Sequence, residues 1–91
     1  MTIAALLSDT TDIVTLESTV TIHTRSGSVY TLMPDAADMS RVFVTKGDSQ
    51  VAVVENEILL ATGSCMLALY HGDDEKAFRT SVVTQIHAPV L

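Results

Sequence analysis

The sequence predicts an all-β domain: a small antiparallel β-barrel or sandwich of the SH3-like kind, with six or seven short strands and at most a short N-terminal helix. Three observations carry the prediction. Apolar and polar residues alternate with period two in several short segments, glycine-containing turns separate these segments at barrel-like spacing, and no long stretch has helical periodicity. Residues 58–72 supply the centre, running fifteen positions without a formal charge between Glu57 and Asp73. Thr62-Gly63-Ser64 interrupts them as a turn signal, so the stretch reads as two core strands meeting at a bend. The second of these has Cys65, Leu67 and Leu69 on one side and Met66, Ala68 and Tyr70 on the other. A strand apolar on both sides calls for cover on both, from an N-terminal arm or from another subunit.

Residues 1–17 read as an arm ahead of a single barrel domain at 18–91. Within the arm, Ile3, Leu6 and Leu7 fit either a short helix or an extended segment, residues 8–12 form a polar break, and Ile13, Val14 and Leu16 read as a short strand. Val20 and Ile22 then alternate with Thr19, Thr21 and His23. With Ser26-Gly27 as a two-residue loop, Thr24 faces Val29, Ile22 faces Thr31 and Val20 faces Met33, leaving His23, Tyr30 and Leu32 on the second sheet face. Pro34 is expected to end this hairpin, and residues 35–39 to make one helical turn. A second hairpin turns at Gly47-Asp48, matching Val44 with Val51 and Val42 with Val53. Residues 55–57 read as a break and 71–76 as an acidic loop. The last strand covers 78–87, with Phe78, Val82 and Ile86 on one face, and Pro89 stops it.

Composition excludes several functions. Ninety-one residues make one domain, and 47% hydrophobic against 18% charged residues is more apolar than so short a chain needs, which points to a homo-oligomer or a protein partner. Eleven acidic and five basic residues give a formal charge of −6, and the basic ones are scattered, so nucleic-acid binding is disfavoured. One cysteine cannot make an intrachain disulfide, which suits a reducing cytoplasm. The apolar N-terminal run has no basic residue before Arg25, so no export signal is read, and no stretch approaches the ~20 residues of a membrane-spanning helix.

Motifs with chemistry are scarce. His23, His71, His87 and Cys65 form no local metal-ligand pair, and Cys65 lies among apolar neighbours that keep a thiol protonated and inert. Residues 24–28 lack the pattern of a phosphate loop, and the adjacent acids at 73–75 lack the alternating spacing of a calcium loop. No catalytic, cofactor or metal residue is expected. The features left for function are apolar or aromatic side chains on the arm and the second sheet face: Ile3, Leu6, Leu7, His23, Tyr30, Leu32 and Tyr70.

Val20-Thr-Ile-His-Thr-Arg-Ser-Gly-Ser-Val-Tyr-Thr-Leu32, with its Thr-Arg-Ser-Gly-Ser-x-Tyr hairpin, and the late Arg79-Thr-Ser-Val-Val-Thr-Gln-Ile86 resemble short proteins encoded by actinobacteria and their phages. The resemblance covers both ends of the domain and brings no catalytic residue with it. It implies a non-enzymatic phage accessory protein in the bacterial cytoplasm, binding a host protein or copies of itself. The alternative it leaves open is a head or tail component of the virion.

Overall fold

Each short segment whose side chains alternate between apolar and polar becomes a strand, because alternation lets an extended chain bury one face while wetting the other. The computed structural model describes residues 3–8 and 12–88. They form α1 (Ile3–Ser8), β1 (Ile13–Val14), β2 (Val20–Thr24), β3 (Val29–Asp35), β4 (Asp38–Lys46), β5 (Ser49–Leu59), β6 (Cys65–Tyr70) and β7 (Asp73–His87). From β2 to β7 every strand pairs antiparallel with its successor, and β7 returns to β2. The result is a closed six-stranded barrel, with β1 added along β5 and the one short helix of the described residues packed against β7. Closure removes the unpaired edges that would otherwise template aggregation.

The interior is one cluster of side chains. Val20 and Ile22 of β2, Leu32 of β3, Val42 and Val44 of β4, Ala52, Val54 and Ile58 of β5, Met66 and Ala68 of β6 and Val83 of β7 fill it, joined by Leu16 and Leu60. Tyr30, Tyr70 and Phe78 continue the inward phase toward the rim. The Phe78 ring meets Tyr30 at 5.9 Å and Tyr70 at 6.4 Å between centroids, both edge to face.

The first hairpin differs from the expected pairing by one residue. Its loop has three residues, Arg25-Ser26-Gly27, closed by Thr24 N donating to Ser28 O at 3.0 Å and Gly27 N to Thr24 O at 3.0 Å. Gly27 takes φ 90°, a left-handed conformation that glycine adopts without a Cβ clash. Ile22 therefore faces Tyr30, and Val20 faces Leu32. A one-residue slip exchanges the faces of a strand, so Leu32 is fully buried while Met33 is 47% exposed. Leu32 is a core residue and not part of an outer surface.

Other expectations are corrected in the same way. Gly47-Asp48 does turn the second hairpin, since Lys46 faces Ser49, but Val51 is an extra residue between Gln50 and Ala52. Val44 therefore faces Ala52 and Val42 faces Val54. Residues 35–39 make no helical turn: Pro34 stays in β3 opposite Val42, at an irregularity where its missing N–H is tolerated, and the chain reverses directly into β4. Residues 55–57 do not break the strand. They lie where β5 passes from β4 to β6, and inward alternation runs through Val54, Asn56 and Ile58. Residues 73–76 begin the long β7 and form no loop, because Tyr70 already faces Asp73. Within β7 an extra residue opposite Cys65 and Leu67 shifts the phase so that Val83, and not Val82, enters the core, and a second, Thr84, sets Ile86 opposite Ile22 near the open end, where it is 37% exposed. The arm, read as helix or extended, is helical at Ile3–Ser8. The expected polar break falls partly, and the Pro89 stop wholly, outside the described residues.

This register makes a pair of adjacent substitutions informative. Leu32→Ala should destabilise the domain by about 2–5 kcal/mol, as cavity-forming changes in a packed core do, whereas Met33→Ala should change stability by less than about 1 kcal/mol. Urea unfolding of the two variants measures both; the reverse order would restore the two-residue loop.

Candidate functional site

Asn56 lies at a cleft in the surface. It occupies an inward position of β5, only 4% exposed, where an apolar residue is expected, and its amide is fully engaged. Leu16 N donates to its Oδ1 at 2.8 Å, while its Nδ2 donates to Leu16 O at 2.9 Å and to Met39 O at 2.7 Å. A buried amide with such partners fixes the segments that carry them. The Asn56 side chain thus binds the chain ahead of β2 to the start of β4.

Beside it lies a cleft of about 450 Å³ between α1 and the barrel, lined by Ala4 and Leu7 of α1, Leu69 of β6, Met39 and Ser40 of β4, Thr15, and Glu55, Asn56 and Glu57 of β5. Leu7 is buried here as α1 packs against β7, and Leu69 of β6, half-buried, lines the same cleft. The walls are apolar and the β5 side is acidic.

The charges around the cleft are organised. His71 Nδ1 lies 3.0 Å from Glu55 Oε2, and Gly72 N donates to Glu55 Oε1 at 3.3 Å. At the β3–β4 turn the Asp35 carboxylate accepts from Ala37 N at 2.9 Å and Arg41 Nε at 2.6 Å. Asp38 accepts from Ser40 Oγ at 2.6 Å and Ser40 N at 3.1 Å. These bonds favour the ionised forms. Asp35 is held below the ordinary aspartate range, mainly by the Ala37 amide and then by Arg41, and Asp38 is lowered by the Ser40 hydroxyl and amide. The Ser40 hydroxyl is given to Asp38 while His71 pairs with Glu55, so hydroxyl and imidazole are not joined into a relay for nucleophilic attack. Apolar walls beside carboxylates instead suit the docking of an apolar group next to a cation.

A second, more open groove of about 400 Å³ lies over β5, β6 and β7, lined by Leu59, Gly63, Ser64, Cys65, Leu67, Arg79 and Val82. Arg79 Nη2 approaches Cys65 Sγ at 3.7 Å.

The residues expected at a surface are scattered. Of the arm residues, Leu7 lines the cleft, Leu6 is 54% exposed and Ile3 is half-buried. Tyr30 and Tyr70 are brought together on Phe78 at the rim of the core, His23 meets His87 on the other face of β2, and Leu32 is interior. Leu69 belongs to the β6 face expected to need cover from the arm, whereas Glu55, Asn56 and Met39 are not among the residues the sequence points to. The available signal was Asn56 itself, a polar residue in phase with Val54 and Ile58.

Two outcomes follow from this geometry. Asn56→Ala should cost about 2–4 kcal/mol, because three backbone groups lose a buried partner, and urea unfolding measures it. Because Asp35 and Asp38 are depressed in the folded state, their contribution is complete above the ordinary aspartate value of about 4 and disappears as pH falls through their lowered values. Amide shifts of Ala37 and Ser40 should accordingly titrate with midpoints below the ordinary aspartate value; a midpoint at or above the ordinary value contradicts the assignment.

No family model matches this chain, and no curated protein or solved structure matches it significantly.

Proposed function

We propose that the chain is a non-enzymatic binding protein, phage-encoded and active in the bacterial cytoplasm, that works through contact with a host protein or with copies of itself. The observation that supports this reading most is the cleft at Asn56. It sets the apolar side chains of Leu7, Met39 and Leu69 beside Glu55 and Glu57, in a chain whose net charge is −6. Such a surface fits a partner segment presenting an apolar side chain flanked by Lys or Arg, since interfaces combine an apolar centre with complementary charge at the rim. The phage origin rests on the two sequence segments that resemble actinobacteriophage proteins.

Light scattering on the eluting protein, with capture from an actinobacterial lysate, tests the proposal. The expected result is a defined oligomer or a specific retained protein whose binding falls about tenfold in Glu57→Lys, a rim charge reversal that leaves the core intact. A strict monomer that retains nothing contradicts it.

A further inference from the structure

We propose that His23 and His87 form a transition-metal site across the seam that closes the barrel. In the antiparallel β2–β7 ladder His23 faces Gln85 and Thr21 faces His87, so the two imidazoles stand diagonally on neighbouring strands. Val20, Ile22 and Thr24 are buried, which puts His23 on the outward face of β2. The two ring centroids are 5.2 Å apart, at an interplanar angle of 76°. Two imidazoles on one ion, with metal–nitrogen bonds of about 2.1 Å, place their centroids roughly 4.5–5.2 Å apart for bond angles between square and tetrahedral. The observed centroid separation falls at the edge of that range.

The surroundings favour a ligand role. His87 Nε2 lies 3.2 Å from Gln85 Oε1; the amide oxygen accepts the ring proton there and leaves Nδ1 with its lone pair. A metal-binding histidine is commonly oriented by such a bond at its other nitrogen. Among the described residues, the two ion pairs are Arg41–Asp35 and His71–Glu55, so neither of these rings is held by a carboxylate. No group of three or more His, Cys, Asp and Glu gathers among the described residues. The ion therefore has two protein nitrogens and open positions for water or a donor from a bound molecule. Neutral imidazole pairs suit nickel(II), copper(II) and zinc(II) rather than magnesium or calcium.

An ion held this way joins β2 to β7, residues distant in sequence, and favours the folded chain by mass action. Thermal unfolding of the untagged protein with nickel chloride, and separately zinc chloride, tests the site. The expected result is a saturable rise of several degrees in Tm that a chelator reverses. His23→Ala and His87→Ala should each lose the rise, and His71→Ala should keep it. No rise in the parent protein, or an equal rise in both seam variants, overturns the proposal. Should either variant fail to fold, histidine ring NMR signals of the parent protein decide: substoichiometric copper(II) should broaden His23 and His87 before His71, and the opposite order overturns the site.

Discussion

A closed barrel of six strands encloses one interior, so every strand must turn its apolar residues inward in phase, and that constraint governs the whole chain. Ile22, Leu32, Val42, Val44, Val54, Ile58, Met66 and Val83 are all fully buried, and they come from all six strands. Where the alternation written in the chain and the phase required by closure disagree, the strand absorbs an extra residue. Val51 does this opposite Val44-Thr45 and Thr84 opposite His23-Thr24. The bulges therefore preserve the packing, and they bend the long β5 and β7 around so small a circumference.

Three polar side chains, Thr24, Asn56 and Thr80, interrupt the apolar interior, and Asn56 does so with an amide. Asn56 lies in the inward phase and gives its amide to Leu16 and Met39, exchanging apolar contact for a positional role. It adds to the pairing of β1 with β5, the Leu60 N–Asp12 O hydrogen bond and the burial of Leu16 in holding the segment before β2. With it, Thr15, Met39 and Ser40 stand around a cleft whose far wall is Leu7 of α1. The same side chain thus links the core to the surface proposed to bind.

Much of the fold was legible from period-two alternation and turn chemistry. The strands around Val20, Val42 and Met66, the bend at Thr62-Gly63-Ser64 and the turn at Gly47-Asp48 all stand where their residues imply. What alternation does not reveal is register, because a loop of two or three residues at Arg25-Ser26-Gly27 leaves the strand composition unchanged yet decides whether Leu32 or Met33 is buried. Nor does it reveal a polar side chain whose partners are forty and seventeen residues away, as those of Asn56 are. The candidate cleft was legible only in part. Leu7 was read as an arm residue available for contact, whereas Glu55 and Asn56 were read as a break, since a charge and an amide in succession normally mark a loop.

The double apolar character of β6 finds its explanation in unequal cover. Met66 and Ala68 face the core, and on the outward side Leu69 lines the cleft with Leu7 of α1 while Cys65 and Leu67 border an open groove. All of this depends on the closed register. The nuclear Overhauser pattern of β2 tests that register most directly: Ile22 should show cross-strand contacts to Tyr30 on one side and to Ile86 on the other. Contacts from Ile22 to Thr31, or the absence of any to β7, would contradict the account.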